Sequence, residues 1–168
     1  MKFSIPGSFV AEWARLTPGE LRYGYEHEWI TGEDAVTLAL SAVVPSDTKM
    51  GVIEDISLLL SDELYRLPEL MDELAQHDDH VWVYLAIAWV HENPDEFEDP
   101  FGTVEDLYAD FDYPDDVAPF VRYMPPPTGS LPGMLGMRQR WRRYLSDGRD
   151  RYMARAGEPP GSAFGGGS

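Results

Sequence analysis

A chain of 168 residues with 43% hydrophobic side chains is long enough for one domain with a substantial core, which excludes disorder throughout. It contains no cysteine, so disulfides, thiolate metal sites and cysteine nucleophiles are excluded. The formal net charge of −17 opposes binding to nucleic acid or to an anionic membrane; it either attracts a cationic protein partner or serves solubility alone.

Helix-start signals recur in the first half of the chain. Residues 17–20 place Thr, Pro and Glu as in a capping box with Pro at the first helical position. Residues 31–34 repeat the pattern with Asp in the Glu position, and they predict a helix that Pro45 ends. Apolar spacing predicts another amphipathic helix over 50–65, and Pro68 starts a further one.

Segment 80–93 is the most apolar part of the chain. Its length, its two alanines and its stop at Asn93-Pro94 favour a buried helix over a strand. Because it is apolar all round, we predict that it is the central helix against which the others pack. Trp82 and Trp89 share a face there, and we interpret them as core residues and not as a cofactor site.

The most acidic window, Glu92 to Asp116, holds eleven acids and neither Lys nor Arg. Residues 103–106 open a predicted helix that halts near 113–114, and a second short helix is predicted from Asp115 to Val121. Aromatic residues between carboxylates give an interface both anchoring area and attraction for cations, although several of them are also suited to the core. The residues predicted to bind a partner are Glu96, Glu98, Asp99, Asp110, Asp112, Tyr113, Asp115 and Asp116.

The C-terminal part is basic. Residues 1–137 hold 27 acids and six bases, whereas residues 138–168 hold seven arginines and three acids. The predicted organisation is an acidic helical domain (1–124), a Pro/Gly-rich linker (125–136), an Arg-rich amphipathic helix (137–156) and a disordered tail (157–168). The Arg-rich helix could dock on the acidic domain, bind nucleic acid or membrane, or remain a flexible appendage; we favour docking. The predicted fold is all-α, a compact multi-helix domain.

Catalytic and metal motifs are absent. Residues 77–80 and the pair His91-Glu92 offer metal-ligand types, but adjacent acids between two histidines cannot all point one way on a helix. No Gly-rich phosphate loop or nucleophile motif is present. We therefore expect no cofactor, no metal and no enzymatic activity. The alternative is a small enzyme of unknown reaction in which carboxylates and His27 or His91 act as acid–base groups.

Signals for export or membrane insertion are also absent. The N-terminus lacks the apolar run of a signal peptide. The longest uninterrupted apolar run, 81–90, is about half of what a membrane-crossing helix needs. We therefore expect a cytoplasmic protein.

Residues 3–124 resemble a bacterial family catalogued as a domain of unknown function. The resemblance rests on three segments, "IPGSFVAEWARLTPGELRYGYEHEWIT", "VWVYLAIAWVHENPDEFEDP" and "VEDLYADFDYPDDVAPFVRYMP". It implies a small acidic intracellular protein of a kind grouped with toxin-immunity genes, and it carries over no site residues. Together with the acidic charge, it leads us to expect an immunity-type inhibitor that neutralises a cationic bacterial toxin domain.

Overall fold

The computed structural model describes residues 3–44, 50–74 and 79–155. The α-helices are α1 (Gly7–Trp13), α2 (Pro18–Glu26), α3 (Gly32–Ser41), α4 (Met50–Ser57), α5 (Leu67–Met71), α6 (His80–Glu92), α7 (Pro100–Asp110) and α8 (Gly133–Ala154). Short 3-10 helices span Ser61–Arg66, Pro94–Glu96 and Ala118–Phe120. These described residues contain no strand, only an isolated bridge between Leu16 and Val43. The prediction of an all-α fold is confirmed.

The described residues form two compact units. Unit A comprises residues 83–148, and unit B comprises 3–44, 50–74, 79–82 and 149–155. Helices α6 and α8 each contribute residues to both units. The predicted tail, 157–168, lies outside the described residues. Among the helices that are described, none combines the length and apolar character that a bilayer crossing requires.

Three helix boundaries differ from the predictions. Helix α4 ends at Ser57, because the Glu63 carboxylate accepts a hydrogen bond from the Leu60 amide at 3.0 Å and so starts a separate 3-10 helix. Helix α7 begins at Pro100, three residues before its predicted start, with Pro at its first position. Helix α8 begins at Gly133, within the segment expected to be a linker.

One helix was not predicted, and the type of another was predicted wrongly. Helix α1 was not predicted. The short α-helix predicted from Asp115 to Val121 is a turn followed by the 3-10 helix Ala118–Phe120. Pro119 explains the difference, because it has no N–H to donate back to the preceding turn.

Unit B is built around a close approach between α2 and Trp82. The Trp82 side chain is fully buried, and its Nε1 donates to the Glu20 carbonyl over 2.8 Å. A Cβ atom at Gly24 would lie 2.0 Å from the Trp82 ring. Any side chain larger than hydrogen at Gly24 would therefore displace either the helix or the ring.

The carboxylate of Glu20 is buried but fully bonded. Its side chain is 2% exposed, and it accepts from the Thr17 amide at 2.9 Å and from Arg155 Nη2 at 3.1 Å. The Thr17–Glu20 capping box was predicted from the sequence. Arg155, which also donates to the Arg15 carbonyl, was not predicted as its partner. This pairing satisfies a charge that would otherwise be costly to bury.

Unit A holds α8 through an aromatic face. Trp141 is 3% exposed, with its ring centroid 5.1 Å from Phe101 and 6.0 Å from Phe120. Gly148 allows the backbone of α8 to approach Tyr84, whose ring would lie 2.4 Å from an added Cβ. Since aromatic residues occupy the packed side of α8, its arginines in this unit project elsewhere.

Candidate functional site

The predicted partner-binding residues all belong to unit A and are all exposed. They fall into two groups at opposite ends of α7. Glu96, Glu98 and Asp99 precede the first turn, and the other five residues lie at or after the last turn. A helix of 11 residues is about 16 Å long, so these groups are two distinct surfaces.

At the N-terminal end of α7, a cation that the sequence analysis did not single out is already paired with the acids. Arg122 donates to Glu105 at 2.7 and 3.1 Å and to Asp99 at 2.9 Å. The hydrogen bond from Arg122 lowers the pKa of Asp99, and the two carboxylates raise the pKa of Arg122. This surface is therefore partly neutralised within the chain.

The Arg122 pairing predicts a pH-dependent contribution to stability. Because the folded-state pKa of Asp99 is lowered, the contribution is present above the unfolded pKa of about 3.9 and is lost as pH falls through the folded value. We expect Arg122→Ala to lower Tm near neutral pH, with the difference from the unmodified chain shrinking below pH 4. Thermal unfolding followed between pH 2 and pH 7 checks this. A difference that does not change with pH would contradict it.

The C-terminal end of α7 carries a surface that we call the acidic turn: Asp110, Asp112, Asp115 and Asp116. Helix α7 has no basic residue in its last turn, so its own side chains do not compensate Asp112, Asp115 and Asp116, which follow the negative end of the helix dipole. Asp112 and Tyr113 have left-handed backbone angles, with φ of 63° and 59°. The Tyr113 amide donates to the Tyr108 carbonyl at 2.7 Å and closes the helix end.

Two exposed tyrosines flank the acidic turn. The Tyr113 ring lies edge-on to Tyr108 with a centroid distance of 5.3 Å, and Tyr123 lies 6.2 Å from the same ring. Tyr113 is 56% exposed and Tyr123 is 59% exposed, while Tyr108 is buried. The buried ring thus supports two accessible rings. Tyr123 was not predicted, although it lies in the "FVRYMP" part of the family-like segment.

Two arginines of α8 within unit A, Arg138 and Arg140, contact groups other than the acidic turn. Arg140 donates to the carbonyls of Pro119 at 2.6 Å and Leu131 at 2.7 Å. The guanidinium of Arg138 lies 5.7 Å from the centroid of the Phe101 ring. For Asp112, Asp115 and Asp116, the described part of the chain supplies no ion-pair partner.

The histidines considered as acid–base groups make local contacts. His91 Nδ1 lies 2.9 Å from a Glu92 oxygen, and its ring lies against Trp141 at 5.0 Å. His27 stacks on Tyr23 with a centroid distance of 3.9 Å. A cavity of about 470 Å³ in unit B is lined by residues that include Glu26 and Glu28 but not His27. His27 therefore does not join the carboxylates of this cavity in an acid–base cluster.

Across the described ranges 3–44, 50–74 and 79–155, no three His, Asp or Glu residues are placed to hold one ion. His77 and Asp78, two of the residues considered as metal ligands, lie outside those ranges.

Comparison with known proteins identifies one family. The chain matches the uncharacterised proteins conserved in bacteria that form family DUF2247, over residues 7–149. The chain therefore belongs to this family. No curated protein and no solved structure matches it.

Proposed function

We propose that this DUF2247 protein is a non-enzymatic binding protein whose acidic turn binds a cationic protein domain. The observation that carries the proposal is the position of exposed carboxylates after the C-terminal end of α7, where the helix dipole disfavours negative charge. Residues that oppose local stability are typical of functional surfaces. The left-handed backbone at Asp112 and Tyr113 adds to this local cost.

The flanking tyrosines supply aromatic anchors, which charge alone does not provide. Electrostatic complementarity mainly raises the association rate, whereas desolvated aromatic anchors mainly slow dissociation. Tyr113 and Tyr123 are accessible and are held by contacts with Tyr108. A partner with arginines or lysines around an apolar patch would complement this combination.

The specific form that we propose is an immunity-type inhibitor. A toxin domain whose substrate-binding face is cationic, such as a nuclease, would present the charge that the acidic turn attracts. Binding there would block that face without any chemical step. The resemblance of the "VEDLYADFDYPDDVAPFVRYMP" segment to proteins grouped with toxin-immunity genes supports this choice.

The anchoring role of the tyrosines can be tested with the partner isolated on the immobilised full chain. We expect Tyr113→Ser together with Tyr123→Ser to accelerate dissociation about tenfold, because each lost aromatic anchor costs binding energy, while the association rate stays nearly constant. Surface plasmon resonance measures both rates. Tyr65→Ser is a matched control, since Tyr65 is 79% exposed and belongs to unit B.

Two results would count against the proposal. A captured partner without a cationic surface would remove its electrostatic basis. Equal dissociation rates for the double tyrosine variant and the unmodified chain would show that these rings are not anchors.

A further inference from the structure

The outward face of α8 in unit A is cationic. Arg138, Arg142 and Arg143 are exposed, and Leu135, Arg138 and Arg142 follow the i, i+3, i+7 spacing of a single stripe. Arg138 is three residues from Trp141 and lies at the edge of the buried face, beside Phe101, whereas Arg142 and Arg143 lie about 100° and 200° around the helix from Trp141. We call Arg138, Arg142 and Arg143 the cationic stripe.

The start of the stripe is apolar and accessible. Leu131, Met134 and Leu135 are 46%, 44% and 66% exposed. Exposed apolar side chains next to unpaired charges are typical of surfaces that bind another protein. The pattern of cations beside apolar residues is the counterpart of the acidic turn, where carboxylates lie beside Tyr113 and Tyr123.

Two arginines of the cationic stripe and three carboxylates of the acidic turn have no ion-pair partner among the residues that the structure describes. Arg142 and Arg143 form no ion pair with any residue that the structure describes, and the same holds for Asp112, Asp115 and Asp116. Arg138 lies beside Phe101 in the first turn of α7, whereas the acidic turn follows the last turn, about 15 Å along that helix. These five charged residues are therefore left available for an external partner.

We propose that the cationic stripe of one copy binds the acidic turn of a second copy. The inference rests on the proposed function, because it assigns a second occupant to the same acidic turn. Charge complementarity favours another copy as the occupant of the stripe, because Asp112, Asp115 and Asp116 are exposed without an ion-pair partner among the described residues and lie beside two exposed tyrosines. Repulsion between the net charges is screened beyond about 8 Å at physiological salt, so local contacts decide.

Self-association would then compete with partner binding. A carboxylate that contacts Arg142 or Arg143 of a second copy cannot simultaneously contact a cation on the partner. At high concentration the protein would be self-associated. Dilution, or a partner that binds more tightly, would free the acidic turn from the cationic stripe of the second copy. The contact is heterologous, since two different surfaces meet.

Charge swapping tests the contact with the full chain. In sedimentation velocity from micromolar to millimolar concentration, we expect reversible association that weakens about tenfold in Arg142→Glu/Arg143→Glu and in Asp112→Lys/Asp115→Lys. Mixing the two variants, or combining all four changes in one chain, should restore association. Arg66→Glu/Arg151→Glu is the control, because it alters net charge equally with exposed residues of unit B.

The outcomes separate the inference from the proposed function. A monomer at every concentration, or a failure of the mixed variants to associate, would overturn the inference. If Arg142→Glu/Arg143→Glu instead abolished a shift of labelled DNA and left association unchanged, the stripe would serve nucleic acid and the inference would be wrong. The expected result is weakened self-association of Arg142→Glu/Arg143→Glu together with unchanged binding of the cationic partner.

Discussion

Reversing three charges of the acidic turn, Asp112→Lys, Asp115→Lys and Asp116→Lys, is expected to slow association with the cationic partner by about tenfold or more at low ionic strength. The three carboxylates are exposed and lack ion-pair partners within the described residues, so their field reaches an approaching cation. Stopped-flow or surface plasmon resonance measurements at several salt concentrations provide the association rate. The difference should narrow as salt rises, because screening weakens long-range attraction.

A matched variant separates the local surface from the total charge. Glu54→Lys, Asp55→Lys and Asp62→Lys change the net charge equally, but these exposed residues belong to unit B. We expect them to slow association much less. Equal slowing by both triple variants would mean that only the overall charge matters and that the acidic turn is not the binding surface.

The same acidic-turn variant also has an expected effect on stability. Replacing acids that follow the C-terminal end of α7 by lysines converts an unfavourable interaction with the helix dipole into a favourable one. We therefore expect Tm to stay constant or rise while association slows. A marked fall in Tm would indicate that these carboxylates stabilise the fold, which would remove the main support for a binding role.

The second large effect is a loss of stability expected on replacing Gly24 by Ala. Helix propensity alone would favour Gly24→Ala by about 1 kcal/mol. The added Cβ would nevertheless lie 2.0 Å from the buried ring of Trp82, so we expect the free energy of unfolding to fall by about 1–3 kcal/mol. Urea unfolding monitored by circular dichroism measures this change.

Two controls test the cause of the Gly24 effect. Gly51 is also helical, and a Cβ there would meet nothing within 4 Å, so Gly51→Ala should raise stability slightly. In a Trp82→Phe background, the ring atoms that the new Cβ would approach are missing, so Gly24→Ala should cost less. If Gly24→Ala is as stable as the unmodified chain, the close approach of α2 to Trp82 is wrong.

Much of the secondary structure could be predicted because its signals are local. The Thr17 capping box and the Thr31 cap act within three residues, and the structure shows both. The helix predicted over 80–93 is observed as α6 (His80–Glu92) for the same reason. The difference after Asp115 also has a local cause, since Pro119 has no N–H with which to continue a short α-helix.

Pairing within the candidate site could not be predicted because it depends on residues distant in sequence. Arg122 lies 23 residues from Asp99 and 17 from Glu105, yet it divides the predicted acidic surface into a paired and an unpaired part. Tyr123 becomes relevant only because Tyr108 supports it together with Tyr113. No spacing rule connects these positions.

The sequence by itself determined the all-α class, the strong negative charge and the acid-rich segment after residue 92, because composition and helical periodicity are properties of neighbouring residues. The tertiary structure alone decided which of those acids are neutralised and which remain exposed. It also brought together Glu20 and Arg155, which are 135 residues apart. Such choices depend on how helices pack, and packing joins side chains that no local pattern relates.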